Sequence, residues 1–191
     1  MGGDNAPEAI VEGAVEAVRE IEDDIVIIGN EELIRKTINE FGYHGNRITV
    51  VNATEVISND ESPVRAVRRK KDSSIVVGMN MLKEGKGDVL AEVSASASKY
   101  DMDMAGGLFL LGRIEGIDRP AIGAVYPVMG SEPSLLVDTG ANTECKPKNL
   151  LDFGIMGSIY LERVLNRRNP RVGLVNNGTE AHKGTMLTKE A

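Results

Sequence analysis

Several residue types that mark common protein classes are scarce in this chain. It has one cysteine, Cys145, which excludes an internal disulfide framework and is typical of a reducing compartment. It has no tryptophan, and aromatic residues make up 4% of the chain, so there are few platforms on which bases could stack. Its 22 basic residues are outnumbered by 29 acidic ones, which argues against broad nucleic-acid binding.

Long apolar runs are also lacking. No stretch is suited to cross a bilayer, and the chain opens without the basic and apolar regions of a signal peptide, so we expect a cytoplasmic location. The hydrophobic content of 41% is nevertheless enough to bury a core, and we predict a single α/β domain over residues 1–191. A glycine-rich turn at the start has no strand before it, and the last helical pattern stops without a terminus signal. We therefore expect a fragment that lacks a first strand and a C-terminal portion.

Strand-like and helix-like patterns alternate along the sequence. Short apolar runs predict buried strands at residues 25–28, 48–51, 88–93, 121–126, 135–137 and 172–175. The segments between most of these runs carry apolar residues at helical spacing, beginning with Ile10, Ala14, Val18 and Ile21. Pro147 begins the longest predicted helix. This order predicts a mainly parallel sheet covered by helices.

The opening turn combines two glycines with Asp4, Asn5 and Pro7. Asn5 and Glu8 fit a capping box, in which free backbone N–H groups at a helix start attract an anion. An ordinary turn with a helix cap explains the same residues equally well.

A basic helix is predicted to begin at Ser62 and Pro63. Arg65, Arg68 and Arg69 fall at a spacing that places them on one face. Such a cluster is suited to a phosphate or to an acidic carrier protein, although most charge runs are simply solvated helix faces.

Several segments together resemble one family. The motifs are Met-Gly-Gly-Asp-Asn-Ala-Pro, Pro-Val-Arg-Ala-Val-Arg-Arg-Lys-Lys-Asp-Ser-Ser, Leu-Gly-Arg-Ile-Glu-Gly-Ile-Asp-Arg-Pro-Ala and Gly-Ala-Asn-Thr-Glu-Cys-Lys-Pro, in this order. They resemble the PlsX phosphate acyltransferases of bacterial phospholipid synthesis. The resemblance implies a three-layer α/β/α fold like that of isocitrate and isopropylmalate dehydrogenases. It also implies a cytoplasmic homodimer whose full-length form can associate peripherally with membrane.

The resemblance also implies a reaction. Inorganic phosphate attacks the thioester of acyl-acyl carrier protein and yields acyl phosphate and the free carrier, with no need of a metal or a nucleotide cofactor. Phosphate must be oriented by cations and backbone donors, and the tetrahedral oxyanion needs donors of its own. We predict Lys183 and Asn142 as catalytic residues beside the phosphate. The predicted substrate-binding residues are Asp4, Asn5, Arg65, Arg68, Arg69, Ser94, Lys146 and Asn177.

Other reactive side chains receive no role. No covalent intermediate is required, so Cys145 is interpreted as a partly buried thiol, and His44 and His182 lack the spacing of metal ligands. One departure stands out, because residues 96–101 replace a Gly-Asn-Thr-Gly turn that the family places after this strand. A backbone nest for an anion is harder to form without those glycines.

Two other classes of function remain open at this point. A phosphotransacetylase-like or dehydrogenase-like enzyme would share the architecture, although no Gly-x-Gly-x-x-Gly fingerprint with a ribose-binding acid is present. A non-catalytic remnant that binds the carrier protein is the second alternative.

Overall fold

The computed structural model describes residues 5–58, 60–91, 103–180 and 182–191. The chain forms two compact units, Met1–Gly112 and Arg113–Ala191. Among the described residues, no helix combines the length and the hydrophobicity needed to cross a membrane.

The first unit begins with alternating helices and strands. Helix α1 (Glu8–Glu20) is followed by β1 (Ile25–Gly29), α2 (Glu31–Glu40) and β2 (Ile48–Asn52). Strands β1 and β2 are parallel neighbours, in a register that runs from Ile25 opposite Ile48 to Gly29 opposite Asn52. The crossover through α2 gives this pair its parallel direction, and both strands and both helices are confirmed as predicted.

One hydrophobic core lies between these four elements. Its buried residues are Val11, Val15, Ile27, Ile34, Ile38 and Val50. The buried side of α1 lies one residue further along the chain than predicted at its start, because Val11 and Val15 are buried where Ile10 and Ala14 were expected. Asn30 caps α2, since its side chain accepts a hydrogen bond from the Leu33 backbone amide at 3.0 Å.

The rest of the first unit is helical. It comprises α3 (Pro63–Arg69), α4 (Ser74–Lys83) and a helical segment, residues 103–106, that continues into a π-helical turn, Gly107–Leu111. Val67, Val76 and Ala105 form a small core beneath them. The chain before α3 is fastened to the chain before α4, because the carboxylate of Asp72 accepts hydrogen bonds from the backbone and hydroxyl of Thr54.

The second unit consists of a β-hairpin and two helices in its described part. Strands β3 (Gly123–Val128) and β4 (Ser131–Val137) pair antiparallel, and α5 (Pro147–Arg163) and α6 (Met186–Glu190) follow. Helix α5 approaches β4 closely at Gly157. A Cβ atom there would lie 3.4 Å from Val137 Cγ2, at the near limit of van der Waals contact.

The α/β class is confirmed, whereas parts of the predicted sheet are wrong. Strands β3 and β4 are antiparallel because two residues, Met129 and Gly130, connect them, and a parallel pair needs a long crossover. Gly130 has the positive φ of a tight turn, +69°. Residues 172–175 form no strand, since no described strand pairs with them, and Val175 is 77% exposed. Residues 88–91 are not in a strand either; residues 92 and 93, the rest of that prediction, and Ser94 after them lie outside the described residues.

Candidate functional site

Two loops of the second unit are joined by the carboxylate of Asp138. We call them the linked loops: residues 113–122, before β3, and residues 138–142, after β4. Asp138 Oδ1 accepts hydrogen bonds from the backbone amides of Ile122 at 2.9 Å and Ala141 at 3.1 Å. Its Oδ2 accepts from the backbone amide of Asn142 at 2.8 Å and from Asn142 Nδ2 at 2.9 Å. A single side chain therefore fixes both loops.

These contacts also set the charge of Asp138. Partial burial acts to raise the pKa of this carboxyl, but the hydrogen bonds from Ile122, Ala141 and Asn142 outweigh it and hold the pKa below its ordinary value. Asp138 is therefore an anion at neutral pH.

Asn142, a predicted catalytic residue, lies at the centre of the linked loops. Its Nδ2 also donates to the backbone oxygen of Pro120 at 2.9 Å, and its Oδ1 accepts from Arg119 Nη1 at 3.4 Å. Both hydrogens of the amide are thus used within the protein. In this geometry Asn142 orients the loops, and its contact with a reacting phosphate stays a prediction.

Lys148, in the first turn of α5, fastens the first of the linked loops. Its Nζ donates to the backbone oxygen of Gly116 at 2.9 Å and to Asp152 Oδ2 at 2.7 Å, and it lies 3.7 Å from Asp118 Oδ2. The hydrogen bond to Asp152, together with the charges of Asp118 and Asp152, raises the pKa of Lys148 in spite of some desolvation. Sequence reasoning missed Lys148 and Asp152, although their spacing of four residues in a helix was a usable signal.

Lys146 and Cys145 lie just before α5. The backbone amide of Lys146 donates to Asn149 Oδ1 at 2.8 Å, and Asn149 itself is buried, so the start of the helix is well defined. The side chain of Lys146 is exposed, which is compatible with the substrate-binding role predicted for it. Cys145 is a half-buried free thiol, as expected.

The loop of Asn177 and Lys183 has hydrogen bonds of its own. Asn177 Oδ1 accepts from the backbone amide of Gly184 at 3.1 Å, and the backbone amide of Lys183 donates to the backbone oxygen of Glu180 at 2.9 Å. Lys183 is half-buried, and within the described chain its Nζ has no hydrogen-bonding or ionic partner. A Cβ atom at Gly178 would lie 2.9 Å from Lys183 Cγ, so a larger residue there would force the Lys183 side chain to shift. The loop therefore presents a lysine whose charge is not neutralised by a described carboxylate.

The predicted capping box at the start of the chain is wrong. Helix α1 begins at Glu8, the residue before it is Pro7, and no side chain caps the helix. Glu8 is therefore the first helical residue, and a capping box needs it at the third position. Asn5 is exposed and its backbone oxygen accepts from Ala9 at 3.0 Å, while Asp4 lies outside the described residues.

The basic residues of α3 are exposed, as predicted. Arg68 lies over the ring of Phe109, with its Cζ 4.7 Å from the ring centroid. Arg65 and Arg69 have no ion pair within the described residues. The three side chains thus form a solvent-facing basic surface, with Arg68 partly fixed by a cation–π contact.

The predicted site residues are thus brought together only in part. Asn142 is joined to Arg119 and Asp138, two residues that the sequence-based prediction did not select, and no described hydrogen bond joins Asn142 to Lys183. Residues 92–102, which include Ser94 and the whole segment that replaces the Gly-Asn-Thr-Gly turn, lie outside the described chain. Among the described residues, no group of three or more histidine, cysteine, aspartate or glutamate side chains could hold a metal ion.

Comparison with known proteins confirms the resemblance seen in the motifs. A protein named Phosphate acyltransferase from Alkaliphilus oremlandii is 52% identical over 191 residues, which is 100% of this chain and 56% of that protein. One of the same name from Clostridium tetani is 52% identical over 192 residues, which is 100% of this chain and 56% of that protein. A third protein of this name, from Clostridioides difficile, is 45% identical over 191 residues, which is 100% of this chain and 55% of that protein. The chain thus spans about half the length of these relatives.

The family model described as fatty acid synthesis protein matches residues 1–191. The match covers both compact units and all the motifs quoted above. On this evidence, the chain belongs to the fatty acid synthesis protein family.

Proposed function

We propose that this chain is part of a phosphate acyltransferase that transfers the acyl group of acyl-acyl carrier protein to inorganic phosphate. The observation that carries this proposal is the identity of 52% along the whole chain with relatives named Phosphate acyltransferase. The geometry adds support, because the linked loops expose Arg119 and the loop after residue 175 holds Lys183. Cationic groups of this kind are what a phosphate nucleophile needs.

In the proposed reaction, an oxygen of hydrogen phosphate attacks the thioester carbonyl carbon. A C–O bond forms, the C–S bond breaks, and the carrier leaves as its thiolate, which takes up the proton that phosphate gives up. Lys183 would balance the charge of phosphate or of the tetrahedral oxyanion, and the backbone amides of the linked loops would add donors. Asn142 would act by keeping these loops in place.

The basic surface of Arg65, Arg68 and Arg69 is proposed as the docking surface for the acidic carrier protein. All three side chains are exposed, and Arg68 alone has a described contact, with Phe109. Charges that are not neutralised at a surface steer an oppositely charged partner and raise the association rate.

The assembly and location of the protein are also proposals. We propose a homodimer with the three-layer fold of the isocitrate dehydrogenase type, as the family resemblance implies. The apolar side of α5 supports an interface there, since Leu151, Ile155 and Ile159 are each about half exposed. We propose a cytoplasmic protein whose full-length form associates peripherally with membrane.

The reaction can be tested by mixing the protein with acyl-acyl carrier protein and phosphate and trapping acyl phosphate with hydroxylamine. Product should form with the unaltered chain and vanish in Lys183→Ala. Lys36→Ala, which removes an exposed lysine whose one ion pair among the described residues is with Glu40 at 3.7 Å, should retain activity. Carrier binding without product would instead support a non-catalytic remnant, and reduction of NAD without a thioester would support a dehydrogenase.

A further inference from the structure

The guanidinium group of Arg119 is exposed and has no carboxylate partner among the described residues. Its one described contact is with a neutral acceptor, Asn142 Oδ1, at the long distance of 3.4 Å. Two other cations of the second unit are neutralised by carboxylates. Lys148 pairs with Asp152 at 2.7 Å, and Arg167 pairs with Glu132 at 3.3 Å. Arg119 therefore keeps its charge and most of its N–H donors for another partner.

The orientation of the Asn142 side chain directs its amide oxygen toward this guanidinium. The Nδ2 of Asn142 faces two acceptors, Asp138 Oδ2 and the Pro120 backbone oxygen, each at 2.9 Å. An amide nitrogen donates and its oxygen accepts, so these two contacts force Oδ1 toward Arg119. Asn142 thus binds the backbone of Pro120, next to Arg119, through its amide nitrogen and contacts the guanidinium through its amide oxygen.

Asp138 in turn fixes Asn142, because its Oδ2 accepts from both the backbone and the side chain of that residue. The chain of contacts runs from an anchored carboxylate, through an amide with one possible orientation, to an exposed cation. A guanidinium held in this way is suited to a tetrahedral oxyanion, with which it forms two parallel hydrogen bonds.

We propose that Arg119 binds the inorganic phosphate substrate and that Asn142 and Asp138 are its positioning residues. This inference deepens the proposed function, on which the choice of phosphate as the ligand rests. It gives Arg119 a role in substrate binding and changes that of Asn142 from contact with phosphate to orientation of the arginine.

The test is a calorimetric titration of the chain with inorganic phosphate at constant ionic strength. Arg119→Gln should raise the dissociation constant for phosphate about tenfold to hundredfold, the usual effect of losing charge-assisted hydrogen bonds. Arg119→Lys keeps the charge without the planar fork and should recover part of the affinity. Arg168→Gln is the matched control, since it removes an exposed arginine of the same unit and should leave phosphate binding unchanged.

Asn142→Ser tests the positioning role. It should weaken phosphate binding although Arg119 is intact, and it should leave the affinity for the acyl carrier protein thioester unchanged, which general unfolding would not. Added ethylguanidinium should restore phosphate binding to Arg119→Ala, a rescue that shows the fold is intact.

Any of three results would overturn the inference. The unaltered chain could show no measurable phosphate binding, the unaltered chain and Arg119→Gln could bind phosphate equally well, or Arg168→Gln could lose as much phosphate affinity as Arg119→Gln. The proposed function can fail separately. If the chain binds phosphate through Arg119 but yields no acyl phosphate, this inference stands and the acyltransferase proposal for the chain falls.

Discussion

Lys148 Nζ lies 2.7 Å from Asp152 Oδ2, and the side chain of Asp152 is 8% exposed. Lys148→Met would leave this carboxylate buried without its cation and would free the backbone oxygen of Gly116. We expect a loss of several degrees in the thermal unfolding midpoint, measured by circular dichroism. Lys148→Met combined with Asp152→Leu should recover part of the loss, because removing both partners avoids an unpaired buried charge. Lys36→Met removes an exposed pair and should leave the midpoint unchanged; an equal fall there would contradict the prediction.

Asp138→Asn should loosen the linked loops. The substituted amide replaces one of the two oxygens by an NH2 group, so two of the four hydrogen bonds that Asp138 accepts lose their acceptor. The expected loss in free energy of unfolding is about 1–3 kcal/mol, measured by urea denaturation. Asp118→Asn, which alters an exposed carboxylate 3.7 Å from Lys148, should cost far less. Similar losses in both variants would argue against Asp138 as the residue that joins the loops.

The same carboxylate predicts a dependence of stability on pH. Since the pKa of Asp138 is lowered in the folded state, its contribution is present above the ordinary aspartate pKa of about 4 and is lost as pH falls through the folded value. The unaltered chain should therefore lose more stability than Asp138→Asn between about pH 5 and the folded pKa of this group. Parallel curves for the two proteins in that window would disprove the assignment.

Glu61 should titrate far below an ordinary glutamate. A hydrogen bond from Lys70 Nζ at 2.5 Å, with further hydrogen bonds from Ser58, lowers the pKa of Glu61 from 4.5 to about 2. Side-chain carboxyl chemical shifts followed by NMR should show a midpoint near this value. Lys70→Met should move the pKa upward toward 4.5, whereas Lys71→Met, whose lysine donates to the Val67 backbone oxygen, should not. An unchanged pKa of Glu61 in Lys70→Met would rule out the ion pair in solution.

Ile34 and Leu33 offer a matched pair in α2. Ile34 is 1% exposed in the core of the first unit, and Leu33 is 38% exposed. We expect Ile34→Ala to lower the free energy of unfolding by about 2–5 kcal/mol, because it removes buried methyl groups and leaves a cavity. Leu33→Ala should cost much less in the same denaturant titration. Equal losses would mean that the buried side of α2 has been assigned to the wrong residues.

Local sequence patterns predicted the strands and helices over residues 8–52 of the first unit well. The strands around Ile27 and Val50 and the helices beside them lie where the patterns placed them, and Pro63 and Pro147 begin helices as predicted. These features depend on periodicity and on the fixed φ of proline, which are properties of neighbouring residues. Patterns failed where pairing was needed. Residues 172–175 are apolar but have no described partner strand, and β3 and β4 pair antiparallel through a two-residue connection that the prediction did not recognise.

The candidate site, too, was predicted from the sequence only in part. The motifs containing Arg119 and Asn142 were visible in the sequence and led to the family, and Asn142 was selected as functional. The sequence did not reveal that Asp138 would accept from Ile122, or that Asn142 would hold Pro120 and Arg119. Those partners lie 16 to 23 residues away along the chain.

The sequence alone therefore determined the family, the helices and most of the strands, because short-range periodicity, the fixed φ of proline and motif order are properties of neighbouring residues. The tertiary structure decided which strands pair, which charges are neutralised and which way the Asn142 amide faces. Each of these depends on a donor and an acceptor that meet only after the chain has folded, and a hydrogen bond requires that meeting within about 3 Å.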